Sequence, residues 1–119
     1  MIGNSKYKHH TPLDHAVNDA RAVKVALQAR GVHVFYVEDC DIEECNAIMD
    51  AFVSFVRAKD AAFVFFAGHA CEYRNANRLL MICKSGRPDV RKDSVNVLVL
   101  LARFVTCSLH LGFRRLQHH

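Results

Sequence analysis

The chain has 119 residues, 51% hydrophobic and 24% charged, with a formal charge of +4. That is one domain at most, with enough apolar content for a real core. Its basic residues are scattered apart from Arg87, Arg91, Lys92 and the pair Arg114-Arg115, with no interleaved aromatic groove, so the pattern gives little support to nucleic-acid binding and no nucleic-acid partner is expected. No apolar run reaches the length of a membrane span, and the first residues lack the order of a signal peptide. Five cysteines at irregular spacing do not make a disulfide framework. They point to a reducing compartment, hence the cytoplasm.

Met1-Ile2-Gly3-Asn4-Ser5 reads as the last residues of a strand whose earlier part is absent, followed by a turn. Lys6 to Pro12 is a polar loop in which His9 and His10 read as solvated. Asp14 to Ala29 has Ala16, Ala20, Val23 and Leu27 at helical spacing, with Asp14 as N-cap and Gly31 as the C-terminal stop. Val32 to Val37 reads as a strand containing His33 as a packed or edge residue. Asp41 caps a second helix from about Ile42 to Arg57, with Ile48, Phe52, Phe55 and Val56 on its apolar face and Cys45 as a buried thiol. The carboxylates of Asp39, Asp41, Glu43 and Glu44 lack the glycine and terminal glutamate of a calcium loop, and read as a solvated helix start.

Ala61-Ala62-Phe63-Val64-Phe65-Phe66-Ala67 is an unbroken apolar run, as expected of a strand covered on both faces in a parallel sheet. Gly68 lets the chain turn, and His69 is presented at the carboxyl edge, where open α/β sheets place ligands and catalytic groups. An imidazole there is a general acid or base, or else a loop cap. Glu72 to Arg78 reads as a polar loop, Leu79 to Cys83 as a short strand, and Lys84 to Lys92 as a charged loop. Asp93 or Ser94 can cap a third helix through Phe104, although Val95 to Leu101 is apolar nearly all round and suits a strand equally. Thr106 to His119 shows no sustained pattern. Strands alternating with helices predict a mostly parallel sheet with helices on both faces.

Ile2-Gly3-Asn4-Ser5-Lys6-Tyr7, then Asn18-Asp19-Ala20, then Phe65-Phe66-Ala67-Gly68-His69 together resemble the caspase-like cysteine peptidases, and more closely their paracaspase and metacaspase branch. The resemblance covers about residues 2 to 83 and, loosely, the helix to about 104. It implies a caspase-like three-layer α/β/α sandwich, incomplete here, with a domain over 1–104 and a tail over 105–119. It implies hydrolysis of peptide bonds in peptide or protein substrates by a Cys–His dyad, without metal or other cofactor. His69 corresponds to the catalytic histidine and the N–H of Ala70, where the family usually has glycine, to an oxyanion donor.

The family's cysteine lies about 50 residues after the histidine, which falls on the last residue of this chain, and its strand is not matched. Cys107, 38 residues after His69, and Cys71, two residues after it, are the candidate nucleophiles. The expectation is therefore an endopeptidase domain that lacks its nucleophile and is inactive alone. The alternative is a non-catalytic module that binds or regulates a homologous caspase-like subunit. A metal site of His69, Cys71 and Cys83 lacks paired-ligand spacing, and no glycine-rich loop suits a phosphate ligand.

Overall fold

The computed structural model describes residues 1–57, 60–84, 89–104 and 108–115, the last segment as backbone. In chain order the elements are β1 (Ile2–Gly3), α1 (Ala16–Ala29), β2 (Val37–Glu38), α2 (Ile42–Phe55), β3 (Ala61–Gly68), β4 (Ala70–Tyr73), β5 (Ala76–Leu80), β6 (Ser94–Asn96), α3 (Val97–Ala102) and β7 (Ser108–Arg115). Four strands form a parallel sheet in the order β2-β1-β3-β7, and three form an antiparallel sheet in the order β4-β5-β6. The predicted parallel α/β core is present. The second, antiparallel sheet was not foreseen.

Strand parity places the layers. Ile2 pairs with Phe66 and Gly3 with Ala67, so Ile2 and Phe66 share one face and Gly3 and Ala67 the other. Ile2 and Phe66 pack with Cys45 and Met49 of α2. Gly3 packs on α1, where a Cβ would stand 2.6 Å from the Cβ of Ala20 and 3.3 Å from the backbone of Ala16 and Val17. The two helices therefore cover opposite faces, and the close approach of α1 explains the small residues at Gly3, Ala16 and Ala20.

The N-cap of helix α1 lies one residue later than expected. His15, not Asp14, is the N-cap and offers no side-chain bond. The hydroxyl of Ser5 accepts from Val17 N at 2.9 Å instead, so the cap comes from the turn after β1. The expected stop holds. Gly31 has φ +80°, its N–H bonds to Gln28 O at 3.0 Å, and Val32 N bonds to Leu27 O at 3.1 Å. This is the Schellman arrangement. Asp41 caps α2 in a reciprocal box, accepting from Glu44 N at 2.8 Å while Glu44 Oε1 accepts from Asp41 N at 3.1 Å. Lys84 pairs with both carboxylates.

Several elements differ from expectation for identifiable reasons. Of the expected strand over Val32 to Val37 only Val37 forms a ladder, joined by Glu38 from the expected turn, because β1, their neighbour, contributes only Ile2 and Gly3. β3 is covered on both faces only in its carboxyl half, since Phe63 is exposed. The expected loop over Glu72 to Arg78 is a tight hairpin of β4 and β5, closed by Arg74 (φ 50°) and Asn75 (φ 62°). Positive φ at both turn residues is what a type I′ turn requires. The open reading of Val95 to Leu101 resolves into both states, β6 and then α3, with Asn96 Oδ1 accepting from Leu98 N at 2.9 Å. The stretch read as patternless contains β7, paired parallel with β3 over all eight residues.

Candidate active site

His69 is fully buried between β3 and β4. Leu80 N bonds to His69 O at 2.9 Å, which makes His69 and Leu80 an antiparallel hydrogen-bonded pair. The reciprocal bond is replaced by an inserted hydroxyl. His69 N donates to Tyr7 Oη at 3.1 Å, and Tyr7 Oη donates to Leu80 O at 2.8 Å. The Tyr7 ring meets the imidazole edge-on with centroids 4.6 Å apart. Burial pushes the phenol well above its usual titration range, so it stays a neutral donor.

This insertion also explains Gly68. It is not among the residues with positive φ, so a sharp turn is not its role, contrary to expectation. A Cβ there would stand 2.6 Å from Tyr7 Oη and 2.7 Å from the Phe66 ring. Glycine is needed because the tyrosine hydroxyl comes so close.

The imidazole itself is oriented by a backbone carbonyl, with His69 Nε2 2.6 Å from Thr11 O. A carbonyl only accepts, so Nε2 carries the proton, and in the neutral ring Nδ1 is the basic nitrogen. The His10 ring lies 5.7 Å from that of His69 and 6.0 Å from that of Tyr7. The loop read as solvated therefore delivers Tyr7, His10 and Thr11 to the site. The one sequence signal for this was an aromatic ring isolated in a polar segment.

Asn4, also fully buried, holds the loop's base. Its N–H bonds to Ala67 O at 2.9 Å, its Oδ1 accepts from Cys40 N at 3.1 Å, and its Nδ2 donates to Met81 Sδ at 3.4 Å. The Asp39 carboxylate accepts from Ser5 N at 2.8 Å and Lys6 N at 2.9 Å. The residues read as an acidic helix start thus brace the histidine's loop and cap α2.

Ala70 pairs with Leu79 in the β4–β5 ladder. Hydrogen-bonded and non-hydrogen-bonded pairs alternate, so after the His69–Leu80 pair the Ala70 N–H faces away from β5. β4 is the edge of its sheet, and the φ of Ala70 is not positive. The methyl group of Ala70 therefore imposes no backbone strain.

The thiols are placed less favourably. Cys40, Cys45, Cys71 and Cys83 are all free and buried. Cys40 and Cys45 belong to the core, where hydrogen bonding with Cys45 and burial push the Cys40 thiol far up. Cys71 packs with Tyr7, Leu80 and Ile82, so it and His69 flank the same tyrosine. Cys107 lies outside the described residues. The described strand beside β3 contains no cysteine, and its residue registered on Gly68 is Arg115, whereas Ser108 is registered on Ala61 at the far end. Among the described residues no group of three metal-ligating side chains gathers, and no helix is long and apolar enough to cross a membrane.

An open parallel α/β sheet with an oriented imidazole at its carboxyl edge defines a class, the α/β domains that place their functional groups at the strand ends. The family model for the caspase domain of peptidase C14 matches residues 1–100. The chain belongs to that family. No curated protein matches it. The three sequence motifs that suggested the likeness converge physically: Gly3 lies against Ala20, Asn4 bonds to Ala67, and Gly68 admits Tyr7 beside His69.

Proposed function

We infer that this caspase-family chain carries the histidine half of an endopeptidase Cys–His dyad and that, alone, it turns over no peptide. In such a dyad the imidazole takes the thiol's proton, the thiolate attacks the scissile carbonyl, and the imidazolium returns the proton to the leaving amine. His69 fills that role through Nδ1, with Thr11 O holding the ring, and the outward Ala70 N–H suits the developing oxyanion. The observation that carries the reading is the buried imidazole fixed by a carbonyl and a tyrosine hydroxyl at the end of β3. Inactivity rests on the burial of the four described thiols, since a nucleophile must reach its substrate.

The test is peptidase activity of this chain on a peptide library ending in Arg, Lys or Asp, with His69→Ala alongside. No turnover from a folded sample is expected. Turnover that vanishes in His69→Ala would retain the dyad and overturn the inactivity, and Cys71→Ala and Cys107→Ala would then identify the nucleophile. The same burial favours a second reading, a non-catalytic module acting on a homologous caspase-like subunit. That reading expects a homologue's activity to change when this chain is added, and an unchanged rate removes it.

A further inference from the structure

Helix α2 opens with two sulfurs in contact. Its N-cap is Asp41, so Cys40 stands one residue before the cap and Cys45 four residues after it. At a helix start those two positions commonly hold apolar side chains that pack on each other as a staple. Here both are thiols. Cys40 and Cys45 lie in the same core cluster, and their side chains are hydrogen-bonded to each other. The capping box fixes the backbone between them, and Cys45 N bonds to Asp41 O at 2.9 Å. Cys71 belongs to a different cluster, with Tyr7, Leu80 and Ile82.

The pair is chemically unequal. The hydrogen bond from Cys40 holds the Cys45 thiol below its usual titration range, and the same bond, with burial, holds Cys40 far above it. Cys45 is therefore the sulfur that carries thiolate, the form that attacks. Cys40 Sγ also lies 3.8 Å from Met81 Sδ. At 0% and 1% exposure, neither sulfur is open to a peptide. A dithiol needs only its own partner and an oxidant little larger than water.

We propose that Cys40 and Cys45 are a redox-active dithiol, which hydrogen peroxide closes to a reversible disulfide. The Cys45 thiolate attacks one peroxide oxygen. The S–O bond forms, the O–O bond breaks, and the leaving hydroxide takes up a proton to become water. Cys40 then attacks the sulfenic acid on Cys45. The S–S bond forms, the S–O bond breaks, and a second water leaves with the Cys40 proton. Each sulfur gives up one electron, and the peroxide takes both. A dithiol reductant reverses the step by exchange. The bridge ties the residue before α2 to the end of its first turn. It lies beside the groups that brace the loop of His69, since Asn4 Oδ1 accepts from Cys40 N and the Asp39 carboxylate accepts from Ser5 N. The proposal is independent of the peptidase reading, since it needs no chemistry from His69.

The experiment exposes the reduced, folded chain to a small excess of hydrogen peroxide, alkylates the remaining thiols in denaturant and maps the tryptic peptides by mass. The peptide from Gly31 to Arg57 contains Cys40 and Cys45 and no other cysteine. It is expected to lose two hydrogens and escape alkylation at least tenfold faster than Cys71 or Cys83 loses its free thiol. Dithiothreitol should restore both alkylation sites. Access alone predicts the reverse order, because Cys71 and Cys83 are each 7% exposed. In Cys40→Ala the sulfenic acid should persist on Cys45 and be trapped by a cyclic dione. In Cys45→Ala the oxidation of Cys40 should slow at least tenfold. Earlier oxidation of Cys71 or Cys83, a bridge to a cysteine outside the peptide, or sulfoxide at Met81 in place of the disulfide would each overturn the proposal. The wild-type map decides this without any core substitution that could unfold the protein.

Discussion

The two ends of the parallel sheet are built on opposite principles. At the carboxyl end, buried polar groups are interlocked. Asn4 and Tyr7 each satisfy backbone groups of other elements, and His69 is held by a backbone carbonyl. At the amino end the same strands border an open cavity of mixed lining, with the Phe55 and Phe63 side chains exposed and only two residues of β1 in the ladder. The comparison teaches that this sheet is rigid where its chemistry sits. A buried hydrogen-bonded network is costly to disturb, whereas half-exposed apolar contacts are not.

The sharpest way to break that contrast uses two phenylalanines of β3. Phe66 is 1% exposed and Phe63 is 42% exposed. Phe66→Ala should cost about 3–5 kcal/mol, the usual range for a buried Phe, and Phe63→Ala less than about 1 kcal/mol, as for surface positions. Urea denaturation of both variants checks this, and equal losses would erase the distinction between the ends.

Next comes Gly68→Ala, which overpacks against Tyr7 Oη and the Phe66 ring and should cost about 1–3 kcal/mol. In a Tyr7→Phe background the hydroxyl contact is gone, so the same substitution should cost less. The coupling from a double-mutant cycle measures how far the hydroxyl dictates the glycine. Tyr7→Phe alone leaves His69 N–H and Leu80 C=O unpaired and should cost about 1–2 kcal/mol, seen as a lower melting temperature.

The smallest effect lies on the surface. Arg21 holds Glu38 with two hydrogen bonds, and this pairing, aided by Tyr36, brings the carboxyl from 4.5 down to about 2. A carboxyl lowered on folding stabilises above its unfolded value, so that contribution is present above about pH 4.5 and is lost as pH falls toward 2. The Arg21 side chain is exposed and that of Glu38 partly so, which keeps the effect small and salt-sensitive. Glu38→Gln should melt slightly lower than the wild type near neutrality, and the gap should close over that acid range.

Local chemistry made much of this legible in the sequence. The Schellman glycine Gly31, the Asp41–Glu44 capping box, the apolar run of β3 and the position of His69 after it all depend on neighbouring residues. What escaped was set by distant partners. The strand propensity of Val32 to Tyr36 is unused because a ladder needs a neighbour, and β7 gains its form from pairing with β3 despite a weak pattern of its own. The hairpin turn was missed because Arg74-Asn75 lacks the usual glycine. Within the site, His69 was readable by type and place. Thr11 contributes through its backbone, which leaves no residue-type signature, and Tyr7 through insertion into a ladder, for which the one trace was an aromatic ring in a polar segment.

The most direct test is the tautomer of the His69 imidazole, read from its ring nitrogen shifts by NMR in labelled protein near neutral pH. The bond to Thr11 O at 2.6 Å requires the neutral ring to carry its proton on Nε2, leaving Nδ1 as the base. An Nδ1–H tautomer, or a ring averaging freely between the two, would contradict the site as described.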